Sequence, residues 1–177
     1  MATFARRVLR AAILDTRIYE EVEADRRASS QAVGVVLLAS VAGGIGLPGL
    51  GGSNPQSLVA VIIGSLVGWI AWAILTYLIG TRLLPEPQTK ADAGELLRTI
   101  AFASAPGLLR VLGVVPFLGP SIYVIASLWM LLAMIVAVRQ ALDYNSTARA
   151  VGVCVVGWTL SLVVAAIIGN AFAPSVF

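Results

Sequence analysis

The chain has 177 residues, 59% of them hydrophobic and 12% charged, with a formal net charge of +3 and no histidine. A soluble domain carries about twice that charged fraction, so water is excluded as the solvent for most of the surface, and no continuous basic face suited to nucleic acid is visible. A single cysteine excludes an intramolecular disulfide and a thiolate metal site, and the missing histidine removes the usual general base and the commonest metal ligand.

Residues 1–30 are expected to form an amphipathic cytoplasmic segment. On a helical wheel Phe4, Val8, Ala11, Ile18 and Val22 fall on one side, and Arg6, Arg10, Arg17 and Glu20 on the other. Asp15 can N-cap a second short helix from Thr16. Two placements fit a wheel equally: helices lying in the membrane interface with arginines near lipid phosphates, or helices packed on the ends of the spans. Arg10 interrupts the apolar run Val8–Leu14, and no small-residue cleavage site follows, so the segment is read as retained.

Residues 31–177 are expected to form a five-span, all-α polytopic membrane domain. The apolar stretches run over about 31–47, 57–81, 99–115, 121–138 and 150–170, each near the roughly 20 residues that cross ~30 Å of hydrocarbon. Arg6, Arg7, Arg10, Arg17, Arg26, Arg27, Arg82, Lys90, Arg98, Arg139 and Arg149 all fall on one side of this threading. The positive-inside rule then places the N-terminus in the cytoplasm and the C-terminus outside. The abundance of Ala, Val, Gly and Leu with one lysine against eleven arginines suggests a bacterial cytoplasmic membrane.

Within the second stretch Gly64 and Gly68 form a GxxxG, which permits close helix approach; Ala39/Gly43 and Ala165/Gly169 repeat the spacing. Trp69, Trp72, Trp129 and Trp158 lie nearer span centres than ends and are read as packing residues. In the third stretch Pro106-Gly107 is expected to bend the helix. Arg110, one turn on, is a cation with no carboxylate in any span to neutralise it. It can snorkel to the outer interface or bond carbonyls freed at a helix break. It can also receive an anionic lipid, an anionic substrate or a partner's acidic residue. Cys154 is read as a small packing residue.

Three stretches carry a resemblance. They are Leu14-Asp15-Thr16-Arg17-Ile18-Tyr19-Glu20-Glu21 with Asp25 following, Leu97 to Leu109 with the order LRTIAFASAPGLL, and Ala137-Val138-Arg139-Gln140-Ala141-Leu142-Asp143. With the span layout, the chain resembles the bacterial branch of the Yip family of Rab-GTPase-interacting membrane proteins. The resemblance implies an all-helical membrane domain with a cytosolic N-terminus. In eukaryotes it implies trafficking, vesicle shaping and partner recruitment, but the Asp-Leu-Tyr-Gly-Pro motif of that branch is missing here.

The expected function is that of a non-enzymatic membrane-organising scaffold or accessory subunit. Its partners would be membrane lipids and another integral membrane protein or a second copy. No cofactor, metal or nucleic acid is expected. The alternative is a small transporter or channel that binds an anion at the bent third span through Arg110. The residues proposed for lipid or partner contact are Arg110, Pro106, Gly64, Gly68, Arg6, Arg10 and Arg17.

Overall fold

The computed structural model describes residues 3–46, 55–89, 92–115 and 117–171; along 55–61 and 161–171 it describes the side chains of Val59 and Val163 alone. Among the described residues there are seven α-helices and no strand: α1 (Phe4–Ala12), α2 (Thr16–Ala24), α3 (Ser29–Gly46), α4 (Pro55–Leu78), α5 (Ala93–Phe102), α6 (Gly119–Ala141) and α7 (Thr147–Ala171). A 3-10 segment, Ala105–Val114, lies between α5 and α6, and a π turn, Ile79–Leu83, ends α4.

The short helices begin and end where local chemistry dictates. At the end of α1 the amide of Leu14 donates to the Ala11 carbonyl and that of Asp15 to Arg10, with Leu14 in the left-handed region at φ 64°. This reverses the chain as a Schellman-type cap does. Asp15 then caps α2 as expected, its Oδ1 accepting from the Arg17 amide at 3.1 Å. Asp25 repeats the device before α3, accepting from the Arg27 amide at 2.9 Å. Asp92 and Glu95 form a capping box at the start of α5.

The third apolar stretch is not one bent helix. The α-helix stops at Phe102, and the chain resumes from Ala105 as 3-10 with Pro106 in its first turn. Pro106 has no N–H to give to the Phe102 carbonyl, so the ladder cannot continue through it. The proline is buried here together with Ala105 and Gly107.

Four segments are long and apolar enough to cross a membrane among the described residues: 26–46, 62–83, 93–114 and 119–141. The expected count of five is therefore one too high by this measure. The remaining stretch is α7, Thr147–Ala171, of which Thr147–Leu160 is a shorter apolar helix among the residues with described side chains.

The long elements form a ring. The 3-10 segment packs on α3 and α6, α6 on α7, α7 on α4, and α4 back on α3. The tightest crossing joins α3 to the 3-10 segment. An added Cβ at Gly46 would fall on the carbonyl of Arg110, and one at Gly113 on the carbonyl of Gly46. Only glycine permits backbones to meet this closely. At one end of the ring α2 and α5 close over it, and Ile18, Tyr19, Val22, Leu96, Ile100, Phe102, Val138 and Leu142 are fully buried in one continuous core. Cys154 is buried in the same core.

Candidate functional site

At the end of the bundle where α1 and α2 sit, arginines and carboxylates pair within the chain. Arg7 is buried, and its Nε and Nη2 meet Glu21 and Asp25 at 2.9 and 2.8 Å. Its Nη1 donates to Gln31 of α3 at 3.1 Å. Arg10 pairs with Asp15 at 2.8 Å and with the second oxygen of Glu21 at 2.9 Å. The Arg10 guanidinium holds the Asp15 carboxyl below the usual carboxylate range, and Arg7 does the same for Asp25. Arg6 and Arg17 are exposed. Sequence reasoning passed over Arg7, although Phe4 and Ala11 stand one turn either side of it on the apolar face.

The three stretches quoted above meet at this end. Arg98 is buried and donates to the carbonyls of Val22 and Glu23 at 3.1 and 2.6 Å, so a cation closes the C-terminal turn of α2. Gln140 donates to Glu20 at 2.9 Å. Arg139 reaches the carbonyls of Tyr144 and Asn145. Between them lies a polar cleft of about 630 Å³ lined by Glu20, Glu23, Glu95, Arg139 and Asp143 among others. Beside it the Tyr144 hydroxyl sits between the carbonyls of Gly80 and Leu84, at 2.8 and 2.7 Å, and fastens the π turn. Glu86 accepts from the amides of Asn145 and Ser146 ahead of α7, and these amides hold its carboxyl below the usual range.

Half-burial, reinforced by Asp143, Glu95 and Glu20 and opposed by Arg98, pushes the Glu23 carboxyl from 4.5 up to about 7. Between those values the folded chain holds a proton that the unfolded chain has released, so stability falls as pH rises through that window. Glu23→Gln is expected to raise the melting temperature at about pH 8 and leave it unchanged at about pH 4. Identical melting curves at the higher pH would remove Glu23 as the cause.

The second concavity lies inside the ring, with a volume of about 650 Å³. Ser40 and Gly43 face it from α3, and Gly68, Trp69 and Trp72 from α4. Tyr123, Ser127, Met130 and Met134 face it from α6, and Trp158 from α7. Arg110 enters from the 3-10 segment. Its Nη2 donates to Ser127 Oγ at 2.9 Å, and its guanidinium stands 4.8 Å from the centroid of the Tyr123 ring, within cation–π range. Ser127 donates in turn to the Tyr123 carbonyl at 2.7 Å. Ser127 lies eight residues into α6, about 12 Å along its axis. The guanidinium therefore turns inward to a hydroxyl on a neighbouring helix. It neither follows its own stem to the interface nor bonds a carbonyl at the Pro106 break.

Polar atoms around this chamber are left over. Arg110 Nε, Trp69 Nε1 and Ser104 Oγ are each buried without a hydrogen-bond partner among the described residues. The chamber thus brings Gly68 and Trp69 of α4 together with Ser104 and Arg110 at the Pro106 break. Trp72 is buried as a packing residue, whereas Trp129 is partly exposed and donates to the Ala12 carbonyl at 2.7 Å. Gly64, one turn from Gly68, is exposed. The Ala165/Gly169 pair lies outside the described side chains.

Compared with known families, residues 17–168 match the Yip1 domain. The chain belongs to the Yip1-domain family. It is an all-helical, multi-pass membrane protein of that family. Neither a curated protein nor a solved structure matches the chain. The Yip1 match takes in α2 to α6 and most of α7; α1, with Arg7 and Arg10, precedes it.

Proposed function

We propose that this Yip1-domain protein is a non-enzymatic membrane-organising scaffold or accessory subunit that acts by binding within the bilayer. In this reading it sits in a bacterial cytoplasmic membrane with α1 and α2 on the cytoplasmic side and the C-terminus outside. The charge alternation supports that orientation. Its partner is another integral membrane protein or a second copy.

The observation that carries the proposal is the free face of α4. An added Cβ at Gly64, or at Gly68 on the rim of the chamber, would meet no described atom of the chain within 4 Å. Ile63, Val67 and Ile70 beside them are exposed. A small-residue face flanked by large apolar side chains suits close approach of another helix in lipid, where packing drives association. Gly64→Leu is expected to cut the fraction that co-migrates with its partner in mild detergent about tenfold, equivalent to about 1.4 kcal/mol. Unchanged co-migration would remove this face from the proposal.

A second reading, passage of an anion through the ring, is supported by the inward-facing Arg110. It requires a flux into liposomes that Arg110→Gln abolishes.

A further inference from the structure

The chamber inside the ring holds a cation without a counter-charge. Among the described residues Arg110 bonds Ser127 and stands against the Tyr123 ring, and no Asp or Glu lines the chamber. A single charge in surroundings of low polarity is costly unless an opposite charge meets it. The orphaned groups have a common sense. Arg110 Nε and Trp69 Nε1 are donors only, and both lack an acceptor, while Ser104 Oγ can donate as well. A ligand that matches these groups is negatively charged and rich in acceptor oxygens.

The rest of the wall specifies its body. Trp72, Trp158, Met130, Met134, Leu128 and Leu131 present apolar and polarizable surface. This fits hydrocarbon better than a hydrated ion. Ser65, Gly68, Val124, Leu128 and Trp158 line the chamber yet are exposed at the surface of the bundle, so it opens sideways to the hydrocarbon. A protein helix is a poor occupant. At about 10 Å across, it would use up 650 Å³ in less than two turns.

We infer that the chamber is a binding site for one anionic lipid, whose phosphate or carboxylate head meets Arg110, Trp69 and Ser104 while an acyl chain leaves through the side opening. This rests on the reading that the protein binds within the bilayer, but not on the docking face at Gly64.

The test uses the full chain in mild non-ionic detergent, titrated with phosphatidylglycerol or with phosphatidylcholine of the same chains. The lipid retained is read by native mass spectrometry. The wild-type protein is expected to keep one phosphatidylglycerol with about a tenfold preference over phosphatidylcholine. Arg110→Gln should bring that preference to parity, and Arg82→Gln, an exposed cation remote from the chamber, should leave it intact. Trp69→Phe removes one donor and should weaken retention about threefold. Ser65→Trp fills the open side and should abolish it; these two variants decide the matter if Arg110→Gln does not fold.

Equal retention of the two lipids by the wild type overturns the inference, as does a preference that survives Arg110→Gln or is lost equally in Arg82→Gln. Displacement of the lipid by millimolar inorganic phosphate would make this a small-anion site and overturn the lipid assignment. An Arg110→Gln protein that keeps its lipid preference but loses a co-purifying protein would assign the arginine to a partner's acidic residue instead. The outcomes at Gly64 are read apart. Lost assembly with retained lipid leaves this site standing, and lost lipid selectivity with intact assembly leaves the docking face standing.

Discussion

Gly46→Ala is expected to lower the melting temperature of the detergent-solubilised protein more than any other single added methyl. The new Cβ would fall on the Arg110 carbonyl, and Gly113 approaches the same spot from the other side. Overpacking typically costs about 1–3 kcal/mol, and a backbone obstacle cannot rotate away as a side chain can. The upper end of that range corresponds to a loss of roughly 6–12 °C for a chain of this size. The same crossing positions Arg110, so lipid selectivity should fall together with stability. Gly34→Ala is the control, because its Cβ would meet the Phe4 ring at an ordinary 3.8 Å. A Gly46→Ala melting curve that overlays the wild type would show that α3 and the 3-10 segment can part without cost.

Arg7→Met is expected to release α1. The substitution keeps an apolar stem in place but leaves Glu21, Asp25 and Gln31 each without one donor. Removing one partner of a well-buried pair costs about 3–5 kcal/mol, and solvent reaching the two carboxylates brings this to about 2 kcal/mol. Hydrogen exchange in α1 should accelerate at least tenfold, since its attachment to α2 and α3 would weaken by more than 1.4 kcal/mol. Exposed Arg6, changed to Met, should leave exchange untouched. The pH dependence has a definite sign. Arg7 depresses the Asp25 carboxyl in the folded chain. That stabilisation is present above the ordinary carboxylate value of 3.8 and disappears as pH falls through the lower folded value. The difference between Arg7→Met and wild type should therefore be full at neutral pH and shrink in strong acid. Protection of α1 that survives the substitution would place its anchor elsewhere, with the Trp129 bond to Ala12 as the next candidate.

Much of this molecule is legible along the chain because lipid imposes strict rules on sequence. Every backbone polar group must be satisfied inside its own segment, so apolar length reads directly as helix. Capping is similarly local: Asp15 lies next to the amides that it serves, and its role as cap of α2 followed from that position. Pro106 pointed to an interruption because a missing N–H acts on its own helix, but the α-helix ends there where a bend was expected. Its consequence, a 3-10 segment in place of a second α-helical half, goes with a close contact of Gly113 with Gly46 and has no sign in the sequence. The reading of Arg110 illustrates the same boundary. Its cost in a span follows from residue type alone, whereas its bond to Ser127 requires α6 to lie beside it.

By itself, then, the sequence determined class and family: an all-helical, multi-pass membrane protein of the Yip1-domain family, with short capped helices leading into apolar spans. Those properties depend on composition, on length, and on residues a few positions apart. The tertiary structure alone decided which charges meet and which do not. Arg7, Glu21 and Gln31 come from three helices, and Asp25 from the turn after α2, to make one clamp. Arg98 closes α2 from 76 residues away. Arg110, Trp69 and Ser104, each with one buried unpaired atom, line one chamber. Electrostatic and hydrogen-bond energies act through space over a few ångströms. Residues distant along the chain reveal such partnerships only once the ring of helices has closed and brought them together.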